Sequence, residues 1–145
     1  MIPALFDTAI FVYAVGGAHP YRSACRTLVG QAGRGEVRGH VTADLLQEFV
    51  FQRVRRTGDR ATAVQRARDI LSACTVLDVT SSDARLALDL YERHPSLDPR
   101  DAVFAAVALE RGIRHILSPD RAFDAVPGLV RVDPLDAGAV EALTA

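Results

Sequence analysis

The sequence predicts an α/β fold in which helices flank a central, mainly parallel sheet. Short apolar runs of strand length alternate with helical stretches along the chain, as successive βαβ units require. Three acids, Asp7, Asp101 and Asp120, also stand at edges where an apolar segment turns into the next element. Open parallel sheets bind ligands in the crevice beyond the carboxyl ends of their strands, where such acids would meet. A length of 145 residues, 49% hydrophobic and 24% charged, suits one folded domain over 1–145 and argues against disorder.

Residues 2–6 read as a buried strand closed by Asp7, and Thr8 to Val15 as a helix ended by Gly16-Gly17. His19 to Gly33 is a second helix, with Ala24, Leu28 and Ala32 at four-residue spacing. Val37 to Thr42 is a short strand. Thr42 is positioned to cap a helix carrying Leu45, Leu46, Phe49, Val50 and Val54 on its apolar side. Gly58-Asp59 breaks that helix and starts another through Leu71. Thr75 to Val79 is strand-like, and Ser81 to His94 is a helix with Ala84, Leu88 and Tyr91 on one side. After the loop Pro95–Pro99, an almost wholly apolar helix runs from Asp101 to Arg111 and stops at Gly112. His115 to Ser118 is a strand, Arg121 to Val126 a helical turn, Leu129 to Val132 the last strand, and the tail a short helix.

Several chemistries are excluded early. All 17 basic residues are arginine, so there is no P-loop lysine and no Schiff-base lysine. The histidines at 19, 40, 94 and 115 are scattered, which disfavours zinc. Cys25 and Cys74 form no C-x-x-C pair and read as buried thiols in a reducing cytoplasm. No apolar stretch approaches the ~20 residues that span a bilayer, and no secretory leader is expected. Arginines 53, 55, 56, 60, 66 and 68 form a basic stretch relieved only by Asp59. A solvated helix face is the commoner meaning of such a run; contact with a polyanion is the sharper one.

Taken singly, Asp7, Asp101 and Asp120 each fit a helix cap better than a ligand. Asp101 has the strongest case for more, because a carboxylate at the end of an interior helix face is costly unless paired or metal-bound. Glu48 lies at the edge of its apolar stripe, where an ordinary surface Glu would also sit. Asp124, four residues beyond Asp120, reads evenly as a fifth, water-mediated ligand or a surface residue. Carboxylates that converge repel one another unless a cation sits between them, which points to a divalent metal.

With those acids placed, the chain resembles a PIN-domain ribonuclease, specifically the VapC toxins of type II toxin–antitoxin pairs. The matching segments are Leu5-Phe6-Asp7-Thr8, Leu46-Gln47-Glu48-Phe49, Arg100-Asp101-Ala102-Val103-Phe104-Ala105-Ala106 and Leu117-Ser118-Pro119-Asp120-Arg121-Ala122-Phe123-Asp124. The closing Pro127-Gly128-Leu129 and Val132-Asp133-Pro134 also match. The resemblance implies a PIN-like three-layer fold and an acidic quartet, Asp7, Glu48, Asp101 and Asp120, holding Mg2+ or Mn2+. It gives Thr8 and Ser118 the task of orienting that shell. It further implies endonucleolytic RNA cleavage leaving a 3′-hydroxyl and a 5′-phosphate, a VapB-type antitoxin, a homodimer, and a cytoplasmic protein. RNA phosphates would meet Arg53, Arg55, Arg56 and Arg60. Ala9 departs from the Ser or Asn common two residues after the first acid, and Ser118 replaces the more usual Thr.

Two rival readings differ in their tests. A non-catalytic PIN-like domain binding RNA or protein would use the acids as caps, and intact acids at all four positions argue against it. A haloacid-dehalogenase-type phosphatase would want an Asp at Ala9 and usually a lysine.

Overall fold

In the computed structural model, which describes residues 1–144, five strands form one sheet in the order β3-β2-β1-β4-β5. Every neighbouring pair is parallel: β1 (Pro3–Phe6) with β2 (Arg38–Thr42) and β4 (His115–Leu117), β2 with β3 (Thr75–Leu77), and β4 with β5 (Val130–Val132). Central β1 is buried almost throughout, as expected of a strand covered on both faces. The chain steps outward from β1 to β3 and then returns to place β4 on the other side of β1. Connections leaving β1 and β4 therefore diverge and open a crevice at their carboxyl ends.

Helices α1 (Thr8–Val15), α2 (Arg22–Gly33), α3 (Ala43–Thr57) and α4 (Arg60–Ala73) pack on one another, while α5 (Ser81–Arg93) packs on α6 (Pro99–Glu110). With this strand order, the rule that parallel crossovers are right-handed puts the first group on one face and the second on the other, giving three layers. A 3-10 turn (Arg121–Ala125) and α7 (Ala137–Thr144) complete the described residues. Helix α6 is the interior one, with Ala102, Phe104, Ala105, Ala106, Val107 and Ala108 all buried. None of these helices is long and apolar enough to cross a membrane.

Two glycines are fixed by geometry. Gly58 ends α3 at φ 69°, the left-handed conformation that releases the chain into α4. Gly39 on β2 leaves room that a Cβ would lose, since it would stand 3.0 Å from Cys74 Sγ and 3.3 Å from the Phe6 ring. Cys25 and Cys74 are both free and buried, and burial pushes each thiol up to about 12.

Four sequence expectations change. Helix α2 begins at Arg22, because Pro20 disfavours helical geometry at His19 and a turn intervenes. Strand β3 stops at Leu77, since Thr80 leaves to cap α5 in a reciprocal capping box with Asp83. Thr42 occupies the N-cap position of α3 without a side-chain capping bond, and its buried hydroxyl has no partner. The buried face of α5 is Asp83, Ala87 and Leu90, while Leu88 and Tyr91 point outward at 70% and 48% exposure. The observed stripe differs because Asp83, which reads as polar surface, is wholly buried. Arg111 donates to it from Nη1 at 2.7 Å and Nη2 at 2.9 Å, holding its carboxyl below the usual range.

Candidate active site

Asp7, Glu48, Asp101 and Asp120 line one cleft of about 450 Å³, together with Thr8, Ala9, Tyr13, Tyr21, Gln52 and Pro119. Each acid comes from a different part of the chain. Asp7 follows β1, Glu48 lies on α3 in one helical layer, Asp101 opens α6 in the other, and Asp120 follows β4. The backbone N–H of Asp7 donates to Leu117 O at 3.0 Å, extending the β1–β4 ladder and fixing Asp7 beside the end of β4.

Asp7 stands at the N-cap position of α1, yet its side chain makes no capping bond. It instead accepts from Ser118 Oγ at 2.6 Å, and Ser118 Oγ accepts from the Asp120 N–H at 3.0 Å. Thr8 Oγ1 donates to Glu48 Oε2 at 3.1 Å. The two small hydroxyls thus touch the acids they were expected to orient. Glu48 Oε1 also accepts from Gln52 Nε2 at 3.1 Å and pairs with Arg100 Nη1 at 3.0 Å.

Capping accounts for part of the rest. Asp98 is the N-cap of α6, and Asp101 closes the capping box through Oδ2, 3.4 Å from the Asp98 N–H. Asp120 accepts from the Ala122 N–H at 2.9 Å and starts the 3-10 turn. Asp124 is not among the cleft residues; it is exposed and pairs with Arg131 at 2.9 Å. Arg55, Arg56 and Arg60 are exposed around the α3–α4 turn, and Arg53 is half-buried near the end of α3. None of them lines the cleft.

Burial and mutual repulsion set the electrostatics. Loss of water pushes the Asp7 carboxyl from 3.8 to about 6, against the Ser118 hydrogen bond, with Glu48 and Asp120 adding repulsion. Asp101 rises to about 7, first by burial and then by the charges of Asp98, Asp7 and Asp120. Glu48 is also raised by burial, although Arg100 opposes the shift. No basic side chain lines the cleft.

The donor chemistry fits a hard divalent cation: carboxylate oxygens in an open cleft, of which only Glu48 has a cationic partner, Arg100. Among the described residues, no three or more His, Cys, Asp or Glu side chains stand close enough together to hold a metal ion by themselves. An ion there would retain waters and take ligands from its substrate, as Mg2+ does in phosphate chemistry.

Sequence reasoning missed Gln52, Tyr13, Tyr21 and the engagement of Arg100 with Glu48. Gln52 was accessible in principle, since it follows Glu48 by one helical turn. The tyrosines belong to α1 and the turn before α2, and no local spacing relates them to the acids.

Comparison with known proteins gives a consistent answer. The PIN-domain family model matches residues 4–129. Ribonuclease VapC7 of Mycobacterium tuberculosis is 38% identical over 141 residues, covering 96% of this chain and 97% of that protein. Ribonuclease VapC13 of the same species is 33% identical over 130 residues, covering 88% and 98%. Among solved structures, VapBC2 of Rickettsia felis, bound to a promoter DNA fragment, superposes with a TM-score of 0.69 at 15% identity over 91% of this chain and 98% of that one. The sarcin–ricin-loop-cleaving toxin VapC20 of M. tuberculosis gives 0.66 at 22% identity over 78% and 86%. The sheet order, the helical layers and the extent of these matches lead to one conclusion: the chain belongs to the PIN-domain family, among the VapC ribonucleases.

Proposed function

We propose that this protein, as a single PIN domain, is an Mg2+- or Mn2+-dependent endoribonuclease, the toxin of a VapBC-type pair acting in the cytoplasm. The observation that carries the reading is the convergence of Asp7, Glu48, Asp101 and Asp120 on one cleft with no basic side chain in its lining. Relatives of near-equal length named as VapC ribonucleases support it. Structural neighbours solved as toxin–antitoxin complexes support a VapB-type antitoxin as partner. A homodimeric toxin is part of the same proposal and rests on the family resemblance alone.

The cation would be held by Asp7, Asp101 and Asp120, with Glu48 completing the set. When bound, it supplies an activated water and neutralises charge growing on the scissile phosphate. Ser118 keeps Asp7 in one orientation, and Thr8 and Gln52 do the same for Glu48. Arg100, more than half exposed, steadies Glu48 and presents its remaining N–H groups at the cleft edge, where a phosphate can accept them. Alanine at position 9 adds no side-chain donor to the cleft lining.

A chelated preparation assayed for RNA cleavage against each ion in turn tests the proposal. Mg2+ and Mn2+ should restore activity, Zn2+ should not, and Ca2+ should do so poorly, because its looser shell holds water and phosphate less strictly in line. Undiminished cleavage in excess chelator removes the metal from the mechanism. Absence of RNA cleavage with every ion removes the enzyme.

A further inference from the structure

Beside the acidic cleft lies a second feature that the cleavage chemistry does not use. Tyr13 and His19 stack with ring centroids 4.0 Å apart and planes 11° from parallel. Tyr21 joins them, 5.8 Å from Tyr13 and tilted by 24°. Tyr13 and Tyr21 line the acidic cleft, while His19 lines an adjoining pocket of similar size, about 450 Å³, with Ala18, Arg22, Ser23, Arg26 and Thr27. The stack therefore joins the two.

The group is held in place. The Tyr21 N–H donates to His19 Nδ1 at 3.2 Å, and Tyr21 Oη donates to Asp133 Oδ2 at 2.9 Å. His19 itself is exposed. An exposed ring, pinned flat over a half-buried tyrosine, is an open π-face that the core does not need.

The adjoining pocket is basic and lacks a counter-charge. Arg22 and Arg26 line it, no acid does, and neither arginine forms an ion pair among the described residues. Arg26 spends its Nε on Ala14 O at 2.8 Å, which aligns the guanidinium and leaves its terminal nitrogens free. Arg22 Nε is buried with no partner at all. That nitrogen is closed to solvent, so an anion in the pocket would meet the terminal nitrogens of Arg22 and Arg26.

We propose that this corner is a nucleotide subsite: an unpaired RNA base stacks on His19 above Tyr13, and the phosphate next to it is held by Arg22 and Arg26. The inference rests on the endoribonuclease reading for its substrate class and adds where the strand lies beside the cut. A flat base uses the open ring, and a phosphate uses the unpaired guanidiniums. An acidic peptide would use only the arginines and leave the open ring of His19 unused. His19, Arg22 and Arg26 are thus positioning residues.

Binding of a fluorescently labelled, mixed-sequence single-stranded RNA decides it, measured by anisotropy in the Asp101→Asn background with excess chelator across a salt series. His19→Ala should weaken binding about tenfold, in line with base–aromatic stacking, and His19→Tyr should restore it to within about twofold. Arg22→Gln with Arg26→Gln should lower the salt slope by about 0.7, the loss of one phosphate contact, and Arg22→Lys alone should leave the slope intact. RNA should also quench tyrosine emission, since two of the three tyrosines lie in the stack. Equal losses in His19→Ala and His19→Tyr, an unchanged slope, or a defect confined to antitoxin affinity would each overturn the subsite. Because binding is read without metal, a failure of the nuclease reading appears separately, as wild-type protein that binds RNA yet never cuts it.

Discussion

Replacing Asp7 with Asn should stabilise the metal-free protein while abolishing its activity. Burial raises this carboxyl from 3.8 to about 6, so ionising it in the folded chain at neutral pH costs about 3 kcal/mol relative to the unfolded chain. Asparagine removes that cost and keeps an oxygen to accept from Ser118 Oγ, but its amide then needs a partner, leaving a net gain of about 2 kcal/mol. For a chain of this length, that is a rise in Tm of about 6 °C. The sign follows from linkage. The folded wild type binds the proton more tightly than the unfolded chain, so its stability falls as pH climbs from about 4 through about 6. The advantage of Asn should be small at pH 4.5 and complete at pH 8. Added Mg2+ should narrow it by stabilising the wild type alone. Urea titrations in chelator at both pH values measure the gap. An equal gap at both, or an Asn variant weaker at pH 8, would refute the placement of an uncompensated charge at Asp7. The Asn variant should lose RNA cleavage by about a hundredfold or more, since charge on the ligand is what an ion requires.

Two further outcomes follow from features outside the cleft. Changing Arg55, Arg56 and Arg60 together to Gln should flatten the salt dependence of RNA binding by up to ~0.7 per lost contact, and an unchanged slope assigns these exposed arginines to solvent. Asp83→Asn should cost about 3 kcal/mol in urea unfolding, because it leaves Arg111 without its buried partner. As the folded Asp83 carboxyl is held low, that stabilisation is full above about pH 4 and lost as pH falls; a cost below about 1 kcal/mol at pH 7 would mean the pair is dispensable.

Much of the fold could be read from local pattern. Helix α1 runs from Thr8 to Val15 as its apolar run and the Gly pair predict, and the near-continuous apolar stretch after Asp101 is an interior helix. Pattern failed where a partner far along the chain decides. Asp83 is buried with Arg111, 28 residues later, as its ion-pair partner, and the buried face of α5 includes it rather than Leu88. The cleft divides the same way. Acids at element edges were visible because the sheet topology gives such edges a meaning, and Thr8 and Ser118 adjoin them in sequence. Tyr21 lines the cleft from the turn before α2, and Arg100 pairs with Glu48 from the first turn of α6, which no spacing reveals. Asp124 shares a helical period with Asp120, but the turn is 3-10, and its side chain goes to Arg131.

The placement of β4 beside β1 has a consequence for how the molecule comes into being. A strand made late in translation is inserted next to the first one made, and Asp120 follows it. A nascent chain that has emerged only as far as β3 holds Asp7 and Glu48 but has neither the neighbouring strand that fixes Asp7 nor two of the four acids. The ribosome therefore carries a chain with an incomplete acidic cleft for most of the synthesis. The same dependence makes the exposed turn at Gly58 a natural place to divide the protein: Asp7 and Glu48 would fall to one half, Asp101 and Asp120 to the other.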